Sequence, residues 1–174
     1  MRAQIDNLRP TFQRRTDYML YCTLAVLLTV IDQITKFLTL KYLKPVGSVA
    51  LLDNVLSFTY VENRGAAFGM MQNARWIFIT VTIAVCAACI VYIVKKRPDS
   101  KLLCTSLALI ISGAAGNLID RIFRGFVVDM IEVTFINYPV FNFADCCVVI
   151  GAVLFAIYVL FMYREPEKGD NKND

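Results

Sequence analysis

Two aspartates, Asp129 and Asp145, lie inside strongly apolar stretches of the sequence. Asp129 interrupts the run GFVVDMIEV, and Asp145 belongs to FNFADCCVVIGAVLF, which begins the last long hydrophobic segment. A charged carboxylate near the hydrocarbon core of a membrane is costly. Such groups usually line a wet cavity and mark ion passage, proton transfer or catalysis. These two residues are therefore the first candidates for chemistry.

Acid/base catalysis is the chemistry open to such a pair. The chain has 174 residues and no histidine, so the usual proton acceptor of serine and cysteine nucleophiles is missing. If Asp129 and Asp145 meet, they share one proton, because two close carboxylates cannot both ionise easily. One can then deprotonate an attacking water while the other protonates the scissile carbonyl oxygen or the leaving amine. The sequence thus predicts peptide-bond hydrolysis without histidine or metal.

The cysteines do not indicate a metal site. All six lie in hydrophobic segments, where thiols behave as small apolar side chains. One pair forms a CxxC motif, but a zinc site needs two further ligands and histidine is absent. We therefore expect no metal, no other cofactor and no disulfide framework. The six are Cys22, Cys86, Cys89, Cys104, Cys146 and Cys147.

Membrane-spanning helices must position these residues. Hydrophobic residues make up 57% of the chain, too many for an ordinary soluble domain. Four hydrophobic runs approach the roughly 20 residues that a spanning helix needs. We predict one membrane domain at 18–163 between polar tails at 1–17 and 164–174. The predicted spans are 18–40, 76–94, 102–119 and 142–163, and the connections on the outer side are 41–75 and 120–141.

Basic residues predict the orientation of these spans. They cluster at 2–15, 95–101 and 164–172, between and beside the hydrophobic runs. By the positive-inside rule both termini face the cytoplasm, so Asp129 and Asp145 lie at the outer membrane face. The net charge of +4 does not form the aromatic-interleaved basic stripe typical of nucleic-acid binding. We therefore expect no nucleic-acid partner.

The first outer connection contains a strand signal. The segment VLSFTYVEN at 55–63 alternates polar and aromatic residues with the period of two that is typical of a strand. The preceding pair Asp53 and Asn54 favours a turn. We predict a small sheet that lies on the membrane surface.

Two other aspartates have basic residues at helical spacing. Lys36 follows Asp32 by four positions, and Arg124 follows Asp120 by four, so each pair can form an ion pair on one helix. Both pairs have a structural interpretation. Asp129 and Asp145 have no basic residue at such a spacing. The connection between them is long enough to fold back and bring them together. The alternative is that they are solvated carboxylates at the membrane interface.

Four sequence blocks, taken together, resemble a known family. In this order, and interleaved with four hydrophobic segments, they are similar to the lipoprotein signal peptidases, also called signal peptidase II. The resemblance covers nearly the whole chain except its polar tails. The blocks are DQITK at 32–36, ENRGAAFG at 62–69, SGAAGNLIDR with GFVVDMIE between 112 and 132, and FNFAD at 141–145.

This resemblance implies an aspartic endopeptidase of the bacterial inner membrane. Such an enzyme removes the signal peptide of a prolipoprotein by cutting just before the cysteine that carries diacylglycerol. Asp129 and Asp145 match the family's catalytic pair. Four further polar residues match those that hold the substrate backbone or orient the pair: Asn63, Asn117, Arg121 and Asn142.

The resemblance also implies supporting residues, partners and a fold. Asp32, Lys36 and Gly65 match supporting positions, beside the purely structural interpretation of the first two. The expected partners are a diacylated prolipoprotein, membrane lipids and inhibitors of the globomycin type. The expected fold is a mainly α membrane protein with four transmembrane helices, a small periplasmic β-sheet and a short outer helical segment.

Two rival classes are weaker. In a small proton-coupled transporter or channel, four residues would form a proton relay across the bilayer: Asp32, Lys36, Asp129 and Asp145. The third and fourth predicted spans have titratable groups only at their outer ends, and the sequence has no inverted repeat. A membrane scaffold leaves the cluster of polar residues at the outer face without a role.

Overall fold

Four long helices and a small sheet form the protein. The structure is a computed structural model that describes residues 11–65, 71 and 74–163, without the side chains of 11–17. Most of the two predicted tails, and residues 66–69 of the ENRGAAFG block, lie outside this part. The elements are α1 (Thr11–Leu38), a π-helical turn (Thr39–Leu43), β1 (Ser48–Leu52), β2 (Leu56–Asn63), α2 (Arg75–Lys96), α3 (Lys101–Phe123), β3 (Val127–Val133) and α4 (Phe143–Phe161).

The predicted spans are confirmed. Within the described residues, four helices are long and apolar enough to cross a membrane: α1 with its π-helical turn, α2, α3 and α4. The π-helical turn directly continues α1. The end of the bundle where α1 and α3 finish and α4 begins, next to the three strands, is called the sheet end below.

Helix α3 is the centre of the bundle. It packs against each of the other three helices, and its buried positions include Ser112, Gly113 and Gly116. These small residues allow close contact with neighbouring helices. A Cβ atom at Gly113 would lie 2.2 Å from the backbone oxygen of Ala144, so at this point α4 touches the backbone of α3. The first turn of α4 is thereby held beside the middle of α3.

Replacement of Gly113 by alanine is expected to destabilise the fold. The new methyl group meets backbone at Ala144 and a methyl of Val148 at 2.8 Å, and two packed helices cannot shift without losing other contacts. Overpacking of this kind costs about 1–3 kcal/mol. Thermal unfolding of the purified variant in detergent measures the change, and a melting temperature equal to wild type contradicts the close contact.

The three strands form an antiparallel sheet in the order β1, β2, β3. The predicted turn is present, and Asn54 adopts a φ of 59°, a left-handed conformation that asparagine tolerates better than most residues. On β2, Phe58 pairs with Ile131 and Val61 pairs with Asp129. The sheet therefore places Asp129 in the middle of a strand, at the sheet end of the bundle.

The chain after β3 folds back along this strand. The backbone N–H of Phe141 donates to Ile131 O at 3.0 Å, and the N–H of Ile131 donates to Phe141 O at 2.8 Å. The ring of Tyr138 packs edge-on against Phe141 with 5.9 Å between centroids. Because Phe141 is held here, α4 begins directly beside the strand that contains Asp129.

Candidate active site

Asp129 is almost fully buried, with 1% of its surface exposed. Two side-chain amides donate to it: Asn142 Nδ2 to Oδ1 at 2.6 Å, and Asn63 Nδ2 to Oδ2 at 3.0 Å. Burial, and then the negative charge of Asp145, raise the pKa of Asp129 to about 7. The two hydrogen bonds oppose this shift because they stabilise the charged form. Asp129 therefore holds a proton at a pH where an ordinary aspartate does not.

Asp145 is half-buried in the first turn of α4. Asn142 is the N-cap residue of this helix, and the two residues form a reciprocal capping box. The N–H of Asp145 donates to Asn142 Oδ1 at 3.0 Å, and the N–H of Asn142 donates to Asp145 Oδ2 at 3.1 Å. The other carboxylate oxygen accepts from Asn117 Nδ2 at 2.8 Å. The start of α4 thus fixes one carboxylate oxygen, and Asn117 on α3 fixes the other.

Asn142 joins the two aspartates. Its side-chain NH₂ donates to Asp129, and its backbone N–H donates to Asp145. The same NH₂ also donates to Asn117 Oδ1 at 3.2 Å. Asn142 therefore contacts both carboxyl groups that were predicted to meet, one through its side chain and the other through its backbone.

The other predicted asparagines contact the pair directly. Asn63 receives the backbone N–H of Gly65 on its oxygen at 3.0 Å, which leaves its NH₂ facing Asp129. Asn117 receives Lys36 Nζ on its oxygen at 2.8 Å, which leaves its NH₂ facing Asp145. Each amide is therefore held in the orientation that donates to a carboxylate.

Arg121 lies at the edge of this group. Its guanidinium approaches Gly65 O and Asn117 O only at the 3.5 Å limit of a hydrogen bond. It also lies over the ring of Phe78 on α2, 5.0 Å from the centroid. A guanidinium has five N–H donors, so most of those on Arg121 have no close acceptor among the described residues.

A buried ionic cluster lies on the other side of Asn117. Lys36 Nζ is 3.0 Å from Asp32 and 3.1 Å from Asp120, and all three side chains are at most 1% exposed. The predicted pairs of Asp32 with Lys36 and of Asp120 with Arg124 are both confirmed. The pairing of Lys36 with Asp120 was not predicted. It joins α1 to α3, and spacing along one helix gives no signal for such a contact.

This geometry does not favour the relay alternative. The buried carboxylates Asp32, Asp120 and Asp129 all lie at the sheet end. Transfer of protons across a bilayer needs titratable groups throughout its depth.

In the described part of the chain no group of three or more metal-ligating side chains is present. The arrangement is typical of a membrane enzyme with paired carboxylates at one end of a helix bundle.

Comparison with known proteins agrees with this class. A family model described as signal peptidase (SPase) II matches residues 24–161. The lipoprotein signal peptidase of Geobacillus thermodenitrificans is 43% identical over 155 residues, covering 87% of this chain and 96% of that protein. The lipoprotein signal peptidase of Clostridium acetobutylicum is 43% identical over 146 residues, covering 82% and 93%.

Solved structures give the same result. A structure described as a bacterial membrane enzyme superposes with a TM-score of 0.77 at 29% identity, covering 85% of this chain and 93% of that one. The chain belongs to the signal peptidase II family. It is therefore a peptidase of bacterial membranes. This family is one of aspartic peptidases, the type of peptidase that its residues led us to expect.

Proposed function

We propose that this chain removes signal peptides from diacylglyceryl-modified prolipoproteins, with Asp129 and Asp145 as the catalytic pair. Family membership supports the reaction and the prolipoprotein substrate. The observation that carries the assignment of the pair is the position of Asn142, which donates to one aspartate through its side chain and to the other through its backbone. The proposed cut lies just before the lipidated cysteine.

The two aspartates have different roles in the proposed mechanism. Asp129, whose pKa is raised to about 7, holds the shared proton and is the acid. Asp145 is less buried and is the base. A water between them attacks the scissile carbonyl carbon while Asp145 takes its proton and Asp129 protonates the carbonyl oxygen. The tetrahedral intermediate then collapses: the C–N bond breaks as the leaving amine takes the proton held by Asp145. Asp129 takes back a hydroxyl proton, and the carbonyl forms again as part of the new carboxyl group.

The surrounding polar residues divide between the catalytic pair and the substrate. Three side-chain amides donate hydrogen bonds to the two carboxylates, which supports a role in orienting them. They are Asn63, Asn117 and Asn142. Among the described residues, Arg121 has N–H donors without a close acceptor, which supports a role in binding a backbone carbonyl of the substrate. Gly65 supports Asn63 through its N–H.

The proposed location is the bacterial inner membrane, with both termini in the cytoplasm. The basic clusters at 2–15, 95–101 and 164–172 support this orientation. It places the sheet end and the catalytic pair at the periplasmic face, where a lipid-anchored substrate leaves the bilayer. Membrane lipids surround the four helices, and inhibitors of the globomycin type are expected to occupy the same site.

Cleavage of a defined precursor tests this function. Purified enzyme is incubated with a diacylated prolipoprotein and, as the matched control, with the same precursor lacking the diacylglyceryl group. We expect one cut before the cysteine in the lipidated form, identified by mass spectrometry, and inhibition by globomycin. Equal cleavage of both forms, or a cut elsewhere, contradicts the proposed substrate.

The pH dependence of turnover follows from the pKa of Asp129. Its value of about 7 means that the acid loses its proton as the pH rises through this range, so kcat/KM falls on the alkaline side. Asn63→Ala removes a donor that favours the charged form, so the pKa rises and the alkaline limb moves to higher pH. Initial rates across the pH range measure both effects. A wild-type profile without an alkaline limb, or an unmoved limb in Asn63→Ala, contradicts Asp129 as the acid.

A further inference from the structure

The ionic cluster of Asp32, Lys36 and Asp120 has no part in the proposed reaction. Its three side chains are almost fully excluded from solvent. Removing charges from water is costly, and well-packed apolar residues often stabilise a fold as well as a buried ion pair does. A purely stabilising role therefore explains the cluster poorly.

Each carboxylate of the cluster has a second contact beside the active site. Asp32 Oδ1 accepts the backbone N–H of Ala144 at 3.0 Å, and Asp120 Oδ2 accepts the backbone N–H of Val128 at 3.0 Å. Ala144 immediately precedes Asp145, and Val128 immediately precedes Asp129. The two carboxylates thus hold the backbone one residue before each aspartate of the proposed pair.

Lys36 completes the arrangement through a third donor. An ammonium group has three N–H donors, and the Nζ of Lys36 contacts Asp32, Asp120 and the side-chain oxygen of Asn117. Asn117 in turn donates to Asp145 at 2.8 Å. The buried ammonium of Lys36 therefore contacts both carboxylates that hold the backbone. It also contacts Asn117, whose amide donates to the proposed base Asp145.

The position of Asp32 is tightly constrained. A Cβ atom at Gly116 would lie 2.4 Å from Asp32 Oδ2, so the carboxylate occupies the space that any larger residue on α3 would fill. Gln33 donates to the same oxygen at 3.1 Å and to Gly116 O at 3.1 Å. The cluster can therefore act as a rigid reference point between α1 and α3.

We propose that Asp32, Lys36 and Asp120 form a positioning clamp that sets the separation and orientation of Asp129 and Asp145. The proposal rests on the function proposed above. The clamp residues are positioning residues, because they act through Ala144, Val128 and Asn117 and do not touch the reacting atoms. A misplacement of catalytic groups by about 1 Å can cost a hundredfold in rate, so loss of the clamp lowers kcat more than it changes KM.

A double-mutant cycle tests the arm that runs through Lys36. The variant Asp32→Asn with Lys36→Met removes one charge of each sign and keeps a side-chain oxygen for Ala144. We expect kcat to fall by about a hundredfold with little change in KM. In an Asn117→Ala background the same double change is expected to cost far less, because Lys36 acts on Asp145 through Asn117. Equal costs in the two backgrounds overturn this arm.

Thr29→Val is the matched control. The Thr29 hydroxyl on α1 donates to Ala25 O of the same helix at 2.9 Å and also faces Ser112 O of α3 at 3.3 Å, away from the catalytic pair. We expect this variant to lose stability and keep the wild-type kcat. If it loses kcat as much as the clamp variant does, the cluster only holds the helices together and the proposal is wrong.

Asp120→Asn keeps the proposal testable if the double variant does not fold. Loss of one charge weakens the contacts of residue 120 with Lys36 and Val128, so we expect faster hydrogen exchange at the Val128 amide and a lower kcat at similar KM. Wild-type kcat despite faster exchange overturns the clamp. The proposed function fails separately, when Asp129→Asn or Asp145→Asn keeps wild-type turnover.

Discussion

Asp129→Asn and Asp145→Asn are each expected to abolish most of the cleavage activity while the protein stays folded. An amide cannot give or take a proton as a carboxyl group does, so each change removes one half of the acid/base pair. General acid/base catalysis contributes about 10²–10⁴-fold to a rate, and we expect each variant to lose kcat by about this factor. Single-turnover cleavage of a diacylated prolipoprotein measures the loss.

Asp53→Asn is the matched control for these two changes. Asp53 is an exposed aspartate in the turn between β1 and β2, so its replacement removes the same charge without touching the buried site. We expect wild-type kcat and stability in this variant. Thermal unfolding of the two site variants is expected to show a folded protein, in which case their loss of rate reflects chemistry.

Asn142→Ala is expected to have the next largest effect, because one side chain serves both aspartates. The change removes the donor to Asp129 at 2.6 Å and the acceptor for the N–H of Asp145 at 3.0 Å. We expect kcat to fall by about a hundredfold as both carboxylates lose their alignment. Loss of an N-cap also costs about 1 kcal/mol of stability. Cleavage rates and thermal unfolding measure the two effects separately.

Two variants separate these effects. Ser100→Ala removes the N-cap of α3 at the far end of the bundle, where Ser100 Oγ accepts from the N–H of Leu103 at 3.3 Å. It is expected to lose similar stability and keep kcat. Asn142→Ser keeps a capping hydroxyl but cannot present an amide to Asp129, so we expect recovered stability without recovered activity. Full activity in Asn142→Ser contradicts the orienting role of Asn142.

The spanning helices were predictable because each one is a long apolar run, and their length alone identifies them. The strand β2 was predictable because it alternates polar and apolar residues. β3 gives no such signal: Val127, Val128, Asp129 and Met130 are all buried, so the strand resembles any apolar run. The sequence therefore indicated that Asp129 is unusual, but not that a sheet presents it.

The candidate site was predictable where partners share one helix or one motif. The pair of Asp32 and Lys36 follows from helical spacing, and family resemblance identified the asparagines. The contact of Lys36 with Asp120 joins residues far apart along the chain, and the bonds from Val128 and Ala144 are made by backbone, which has no signature in the sequence. They become visible only when α1, α3, β3 and the start of α4 are packed together.

The most direct test of the account is the single-turnover rate of the double variant Asp129→Asn with Asp145→Asn. If both aspartates act on one water, removal of the second costs little once the first is gone, as for catalytic residues that act as a unit. We predict a rate close to that of the slower single variant. A loss equal to the product of the two single losses would contradict a catalytic pair, and so would wild-type turnover in either single variant.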